Sequence, residues 1–234
     1  MPDIDHYSRV YDNFLEPEVC EAYIHYFEET LTYDAERHRK LSVCYNEKGI
    51  KTCGQCDCHR TNPFEYERFK YLNEHTIKKL QEIINQYRED CGITNLQWPQ
   101  KYAFEEPKMK KFNVDLTGTV LTGHGLDPHA DAHNFTAAKR FLGILVYLSE
   151  EFEEGETFFP LWDVKVKPKI GRALIFPPTW DFMHGGMPPR PPHNIEAKYF
   201  IQFHTVYVDE HTKYTYGLDK TDRQDLGNFE HLKR

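Results

Sequence analysis

Arg140-Phe-Leu-Gly-Ile-Leu-Val-Tyr-Leu-Ser149 is the stretch that decides the fold, because its β-branched and aromatic side chains read as a strand. Similar short runs occupy 108–114, 155–159, 163–167, 172–177 and 198–208, separated by Gly, Pro and Asp turns. Many short strands with turn signals between them indicate a mostly antiparallel sandwich or barrel. Two layers of this kind form a double-stranded β-helix, a jelly-roll or cupin-like core whose mouth can hold a ligand. The expected class is therefore mainly β with flanking helices (α+β), the core braced by helices from the N-terminal part.

Those helices have their own signals. Pro17 suits a first helical position, and Val19, Tyr23, Phe27 and Leu31 recur every four residues with Cys20 and Ile24 beside them. Asn62-Pro63 reads as the cap and start of a second helical region whose Phe69, Leu72, Leu80, Ile83, Ile84 and Tyr87 favour one side. It is expected to break around Asn73 and to end near Gly92. Residues 40–62, with Asn46, Gly49 and Gly54 among β-formers, read as a hairpin or irregular loop. The organisation expected is a helical support region over 1–107, a catalytic β core over 108–208 and a polar tail over 209–234. A chain of 234 residues suits one structural domain so arranged.

Composition narrows the function classes. The net charge is −8, and no dense Lys/Arg run appears beyond short clusters such as Lys108 to Lys111, so nucleic acid is not the expected partner. The first residues lack a basic segment followed by an apolar one, and no stretch approaches the apolar length of a membrane span, so no membrane partner and a cytoplasmic location with free thiols are expected. Cys53, Cys56, Cys58 and His59, with Cys44 upstream, offer a zinc ligand set. A hairpin carrying reduced cysteines is the plainer reading of that cluster.

The residues that carry chemistry are His129, Asp131 and His184. Two imidazoles and one carboxylate can hold Fe(II) on one face and leave the remaining octahedral positions open. Residues i and i+2 of an extended segment share a face, so His129 and Asp131 can reach one ion, and His133 is a reserve donor by the same parity. His184 follows the apolar run Ala173 to Phe176 and lies in Met183-His-Gly-Gly-Met-Pro188, where small residues permit a sharp turn beside a metal.

The ordered set Arg140 to Ser149, Glu154-Gly-Glu-Thr-Phe-Phe-Pro160, Pro168-Lys-Ile-Gly171 leading into Ala173-Leu-Ile-Phe176, His184 and Lys198-Tyr199 resembles the prolyl 4-hydroxylase type of Fe(II)/2-oxoglutarate-dependent dioxygenase. The resemblance covers approximately residues 108–208. It implies that His129, Asp131 and His184 are the metal ligands and catalytic centre. It further implies that Lys198 pairs with the distal carboxylate of 2-oxoglutarate, with Tyr147 as hydroxyl partner and Thr157 lining that pocket. Arg190, six positions after His184, is the competing anchor and otherwise a substrate contact at the cleft mouth. His204 replaces a tryptophan found near the substrate groove of such enzymes, and Phe112 stands near a position where several relatives carry tyrosine.

The implied cofactors are Fe(II), 2-oxoglutarate as co-substrate, and O2, with ascorbate as a supporting reductant. The implied activity is a procollagen-proline 4-dioxygenase-like hydroxylation of a C–H bond in a protein or peptide, with succinate and CO2 as co-products. The alternatives are a hydroxylase of a free amino acid or other small metabolite, and a binding or structural protein stabilised by zinc at the cysteine cluster.

Overall fold

Alternation along the central strands builds two layers. In a computed structural model, residues 7–33, 58–113, 126–150, 154–187, 189 and 197–208 are described. The strands are β1 (Arg9–Tyr11), β2 (Cys58–Thr61), β3 (Tyr102–Phe104), β4 (Lys108–Asn113), β5 (Leu126–His129), β6 (Arg140–Tyr147), β7 (Thr157–Phe159), β8 (Val164–Val166), β9 (Ala173–Phe176), β10 (His184–Gly186) and β11 (Ala197–Tyr207). The helices are α1 (Pro17–Tyr33) and α2 (Lys70–Asp90). A seven-stranded sheet has the order β1-β9-β6-β11-β4-β2, with β3 also on β11, and a four-stranded sheet has the order β5-β10-β7-β8. Among the described residues every strand pairing is antiparallel. This is the mainly β, helix-flanked architecture that the strand runs predict.

Because side chains alternate along a strand, β6 sends Ile144 and Val146 toward the helices and Leu145 and Tyr147 into the space between the sheets. β9 divides the same way, with Ala173 and Ile175 on the helix side and Leu174 and Phe176 inside. On β11, Ile201 and Phe203 meet the helices while Phe200 faces inward. The helix-side cluster is the larger one, and α1 enters it through Cys20, Tyr23 and Phe27. Each large apolar side chain fully buried there contributes roughly 1.5–3 kcal/mol before entropy is counted. The helices therefore act as the second wall that lets the large sheet hide one face, leaving the other free to build a site.

Two details depart from the sequence expectation. The region before residue 108 is not only helical: β1, β2 and β3 all join the large sheet, because edge positions beside β9, β4 and β11 were left to be paired. The second helix does not break at Asn73. Its amide is buried, accepts a hydrogen bond from Tyr23 Oη at 3.1 Å and donates one to the Pro63 carbonyl at 3.1 Å, so the polar side chain ties α2 to α1 instead of interrupting it. Asn62 caps the short helical turn at Pro63–Glu65 by accepting from the Phe64 N–H. Among the described residues, no helix is long and apolar enough to cross a membrane.

The N-terminal segment is pinned at one glycine. Gly171 has φ +71°, and a Cβ built there would lie 2.0 Å from the Leu15 carbonyl oxygen. The Leu15 N–H donates to the Gly171 carbonyl at 3.1 Å, and Gly171 N–H donates to Tyr147 at 3.0 Å. Gly171→Ala should lower unfolding stability by about 2 kcal/mol or more, through both the left-handed backbone and the collision with Leu15. A urea unfolding midpoint equal to that of the wild type would contradict this packing.

Candidate metal centre

His129 ends β5 and His184 begins β10, and the two are direct cross-strand partners. Asp131 follows β5 after one residue and is 6% exposed. His129 Nε2 lies 3.4 Å from Asp131 Oδ1, and His184 Nε2 lies 3.6 Å from Asp131 Oδ2. One ligand atom from each residue falls within 4.8 Å of the others. Cis ligands around a first-row metal, with bonds of about 2.1 Å, stand about 3 Å apart, so the three donors fit one ion. His133, the reserve donor, is exposed and turns its Nδ1 to the Ala130 carbonyl at 2.8 Å, outside this group.

The protonation states favour metal. Burial pushes His184 down to about 4, only partly opposed by Asp131, so its imidazole is neutral at ordinary pH. Its Nδ1 is 3.2 Å from the Phe182 carbonyl, and in the tautomer that donates there the Nε2 lone pair faces the metal position. Burial alone would raise Asp131, but hydrogen bonds from His129 and His204 and the field of the histidines hold its carboxyl well below the usual range.

A second layer holds Asp131 in place. His204 Nε2 stands 3.0 Å from Asp131 Oδ2, and Gln202 Nε2 donates to the two carboxylate oxygens at 3.2 and 3.4 Å. The Gln202 carbonyl oxygen in turn accepts from Lys110 Nζ at 2.7 Å. Behind His204, Glu105 Oε2 lies 3.5 Å from Nδ1 and accepts from Arg140 at 2.7 and 2.8 Å. Arg140 also donates to the Asp131 backbone carbonyl at 3.0 Å. The structure thus places His204 behind the carboxylate, not in a substrate groove: it is 3% exposed, and its strand parity turns it inward beside Gln202.

The cavity reached from this centre measures about 470 Å³ including its open mouth. Phe112, Leu145 and Phe200 supply apolar walls, and Lys198, Tyr147 and Thr157 also line it. Lys198 is 4% exposed, and its Nζ donates to the Gly155 carbonyl at 2.5 Å. Tyr147 Oη donates to Thr157 Oγ1 at 2.7 Å. Phe112, the position noted for its missing hydroxyl, stacks on Phe200 with ring centres 5.5 Å apart.

Parity along β11 puts Lys198, Phe200, Gln202 and His204 on one face, so Gln202 was reachable from the sequence once Lys198 was assigned inward. Glu105, Arg140 and Lys110 carry no local signal, since only tertiary packing brings them to Asp131. Arg190, Cys44, Cys53 and Cys56, and the side chains of Cys58 and His59, lie outside the described residues.

Residues 116–204 match the family model described as the 2OG-Fe(II) oxygenase superfamily. A protein of Acanthamoeba polyphaga mimivirus that carries a prolyl 4-hydroxylase name is 41% identical over 58 residues, covering 21% of this chain and 24% of the relative. The match therefore spans about a quarter of that relative's length. The viral collagen prolyl hydroxylase of Paramecium bursaria chlorella virus-1, solved with 2OG, has the same fold with a TM-score of 0.57 at 20% identity, covering 87% of this chain and 97% of that one. A Trichoplax adhaerens prolyl hydroxylase, solved with a hypoxia inducible factor peptide fragment, gives a TM-score of 0.56 at 15% identity, covering 90% and 87%.

Burial also gives Lys198 a measurable signature. Desolvation lowers its ammonium from 10.5 to about 7, with Glu156 opposing. The folded chain then binds fewer protons than the unfolded chain between about 7 and 10.5, so this residue makes ligand-free stability rise with pH across that window. Lys198→Met should flatten the rise in chemical-denaturation free energy between pH 7 and 9, by about 1.4 kcal/mol per pH unit at most. An unchanged slope would place the ammonium in water.

Proposed function

We propose that this chain, whose residues 116–204 match the 2OG-Fe(II) oxygenase superfamily, is a prolyl hydroxylase acting on a protein or peptide. The observation that carries the reading is one cavity lined by His129 and His184, which are grouped with Asp131, and also by the buried Lys198. A lysine buried there holds its charge at a cost unless an anion pairs with it. A dicarboxylate that reaches from the metal position to Lys198 satisfies both.

In this reading His129, Asp131 and His184 hold Fe(II). Bound iron, with 2-oxoglutarate and O2, supplies the oxidising power: the co-substrate loses CO2 to become succinate, and one oxygen atom enters the substrate C–H bond as hydroxyl. The protein's own contribution is positional. Lys198 exchanges the Gly155 carbonyl for the distal carboxylate, and the Tyr147 hydroxyl turns from Thr157 to donate to it. Phe112, Leu145 and Phe200 keep water from the co-substrate's methylene chain. His204 and Gln202 fix the Asp131 carboxylate so that its oxygens do not rotate away from the metal.

The test is an anaerobic titration of Fe(II) and 2-oxoglutarate into metal-free protein, following the visible charge-transfer band of the chelate. The band should vanish in Asp131→Ala. In Lys198→Ala it should need on the order of 100-fold more 2-oxoglutarate, the cost of removing one partner of a buried charged pair. Absence of the band in the wild type, together with no succinate formed in air, would overturn the reading.

A further inference from the structure

The strand that brings Phe112 to the cavity also brings lysines to the same face. In the β4–β11 register Phe112 lies opposite Lys198, Lys110 opposite Phe200 and Lys108 opposite Gln202. On the other side of β4, Arg60 of β2 lies opposite Lys110. Cross-strand partners share a face, so Arg60, Lys108 and Lys110 form one basic patch beginning beside Gln202, the residue that touches Asp131. Arg140 adds a fourth positive charge nearby: the Lys108 ammonium feels Arg140, Lys110 and Arg60 together, with Glu105 as the opposing charge.

Crowding like charges in a partly desolvated place costs energy unless an anion joins them. Burial first, and then Arg140 and Lys110, pull Lys108 down to about 8. Among the described residues, the nearby carboxylates are committed elsewhere. Glu105 is held by Arg140 and faces His204, and Asp131 belongs to the metal group. Among the described residues, the side chains of Arg60 and Lys108 make no hydrogen bond or ion pair, while both residues remain partly exposed.

We propose that Arg60, Lys108 and Lys110 bind a carboxylate of the primary substrate, next to the carbon that is hydroxylated. This deepens the oxygenase reading and rests on it. The distal carboxylate of the co-substrate is a different anion: Lys110 is the one member of the patch that lines the same cavity as Lys198, whereas Lys108 lies opposite Gln202, four residues and about 13 Å along β11 from Lys198, and Arg60 stands one strand further out. The carboxylate comes either from an acidic side chain flanking a target proline in a peptide or from the α-carboxylate of a free amino acid, and the same three cations suit both.

The experiment measures binding of matched probes to the full chain, with and without Fe(II) and 2-oxoglutarate, in the absence of O2. The probes are short labelled peptides with one proline flanked by Glu, by Gln or by Lys, and L-proline against L-prolinamide. The Glu peptide should bind at least about 10-fold tighter than the Gln peptide. That ratio should fall toward one in the double variant Arg60→Gln, Lys108→Gln. Lys108→Glu should shift preference to the Lys peptide, a gain that a misfolded variant would not produce. A preference for L-proline over L-prolinamide with the same dependence supports the proposal with the free amino acid as source. Failure of both pairs to discriminate, or variants that change only the 2-oxoglutarate requirement, would overturn it. A wild type that forms no visible band yet keeps the carboxylate ratio would instead remove the oxygenase reading while the anion site stands.

Discussion

The structure turns on a buried carboxylate. Asp131 is nearly inaccessible to solvent, and an isolated ionised carboxylate in such a place would lose several kcal/mol of hydration. What makes it tolerable is the ring of donors around it: His204 and Gln202 from β11, His129 from the end of β5 and His184 from β10. These come from both sheets, so the carboxylate can be satisfied only when the two layers are closed on one another. The same closure that hides Phe159, Phe176 and Phe200 between the sheets assembles the metal donors. Packing and site formation are one event here, and the apolar cluster supplies the driving force that the polar cluster lacks.

The division of labour between the faces of the large sheet follows from that. On the helix side, β11 and β6 give the core Ile201, Phe203, Ile144 and Val146, and the one cation β4 places there, Lys111, is neutralised by Glu28 at 3.0 Å. Glu28 also accepts from Tyr199 Oη at 2.8 Å, so the charge serves to dock α1. On the inner face, Lys198, Gln202 and His204 replace apolar residues at positions that a sheet built only for stability would fill with Val or Ile. Stability is given up locally for chemistry, and the helix-side cluster offsets the loss.

The strand runs and the ligand spacing were legible because they are local. The runs at 140–149, 172–177 and 198–208 match β6, β9 and β11 within two residues at each end, since alternation of large apolar residues leaves few other conformations. His129, Asp131 and His184 could be selected because the metal needs those residue types, and the family pattern resolved His133 away from them. What was not legible depends on partners distant in sequence. Asn73 reads as a helix breaker until Tyr23 and Pro63 are seen to occupy its amide. β1 and β2 have no strong periodicity and become strands because β9 and β4 offer open edges. The sequence points to His204 as a substrate contact because it gives the residue's place relative to Lys198 but not the direction of its ring. Parity alone would have turned it toward Asp131.

The cations on β2, β4 and β11 differ in how deeply they are buried. Lys198 lies where no water competes, so its charge is conditional: without an anion it sheds its proton near neutrality, and with one it is held tightly. Arg60 is partly exposed and lies opposite Lys110 across β2 and β4. Lys108 falls between them, depressed by burial and by its neighbours yet still partly charged. On the proposed reading, a dicarboxylate long enough to reach from the metal position to Lys198 would restore the charge there, whereas a shorter acid would leave Lys198 without an anionic partner, so preference for the co-substrate would come from length as well as from charge.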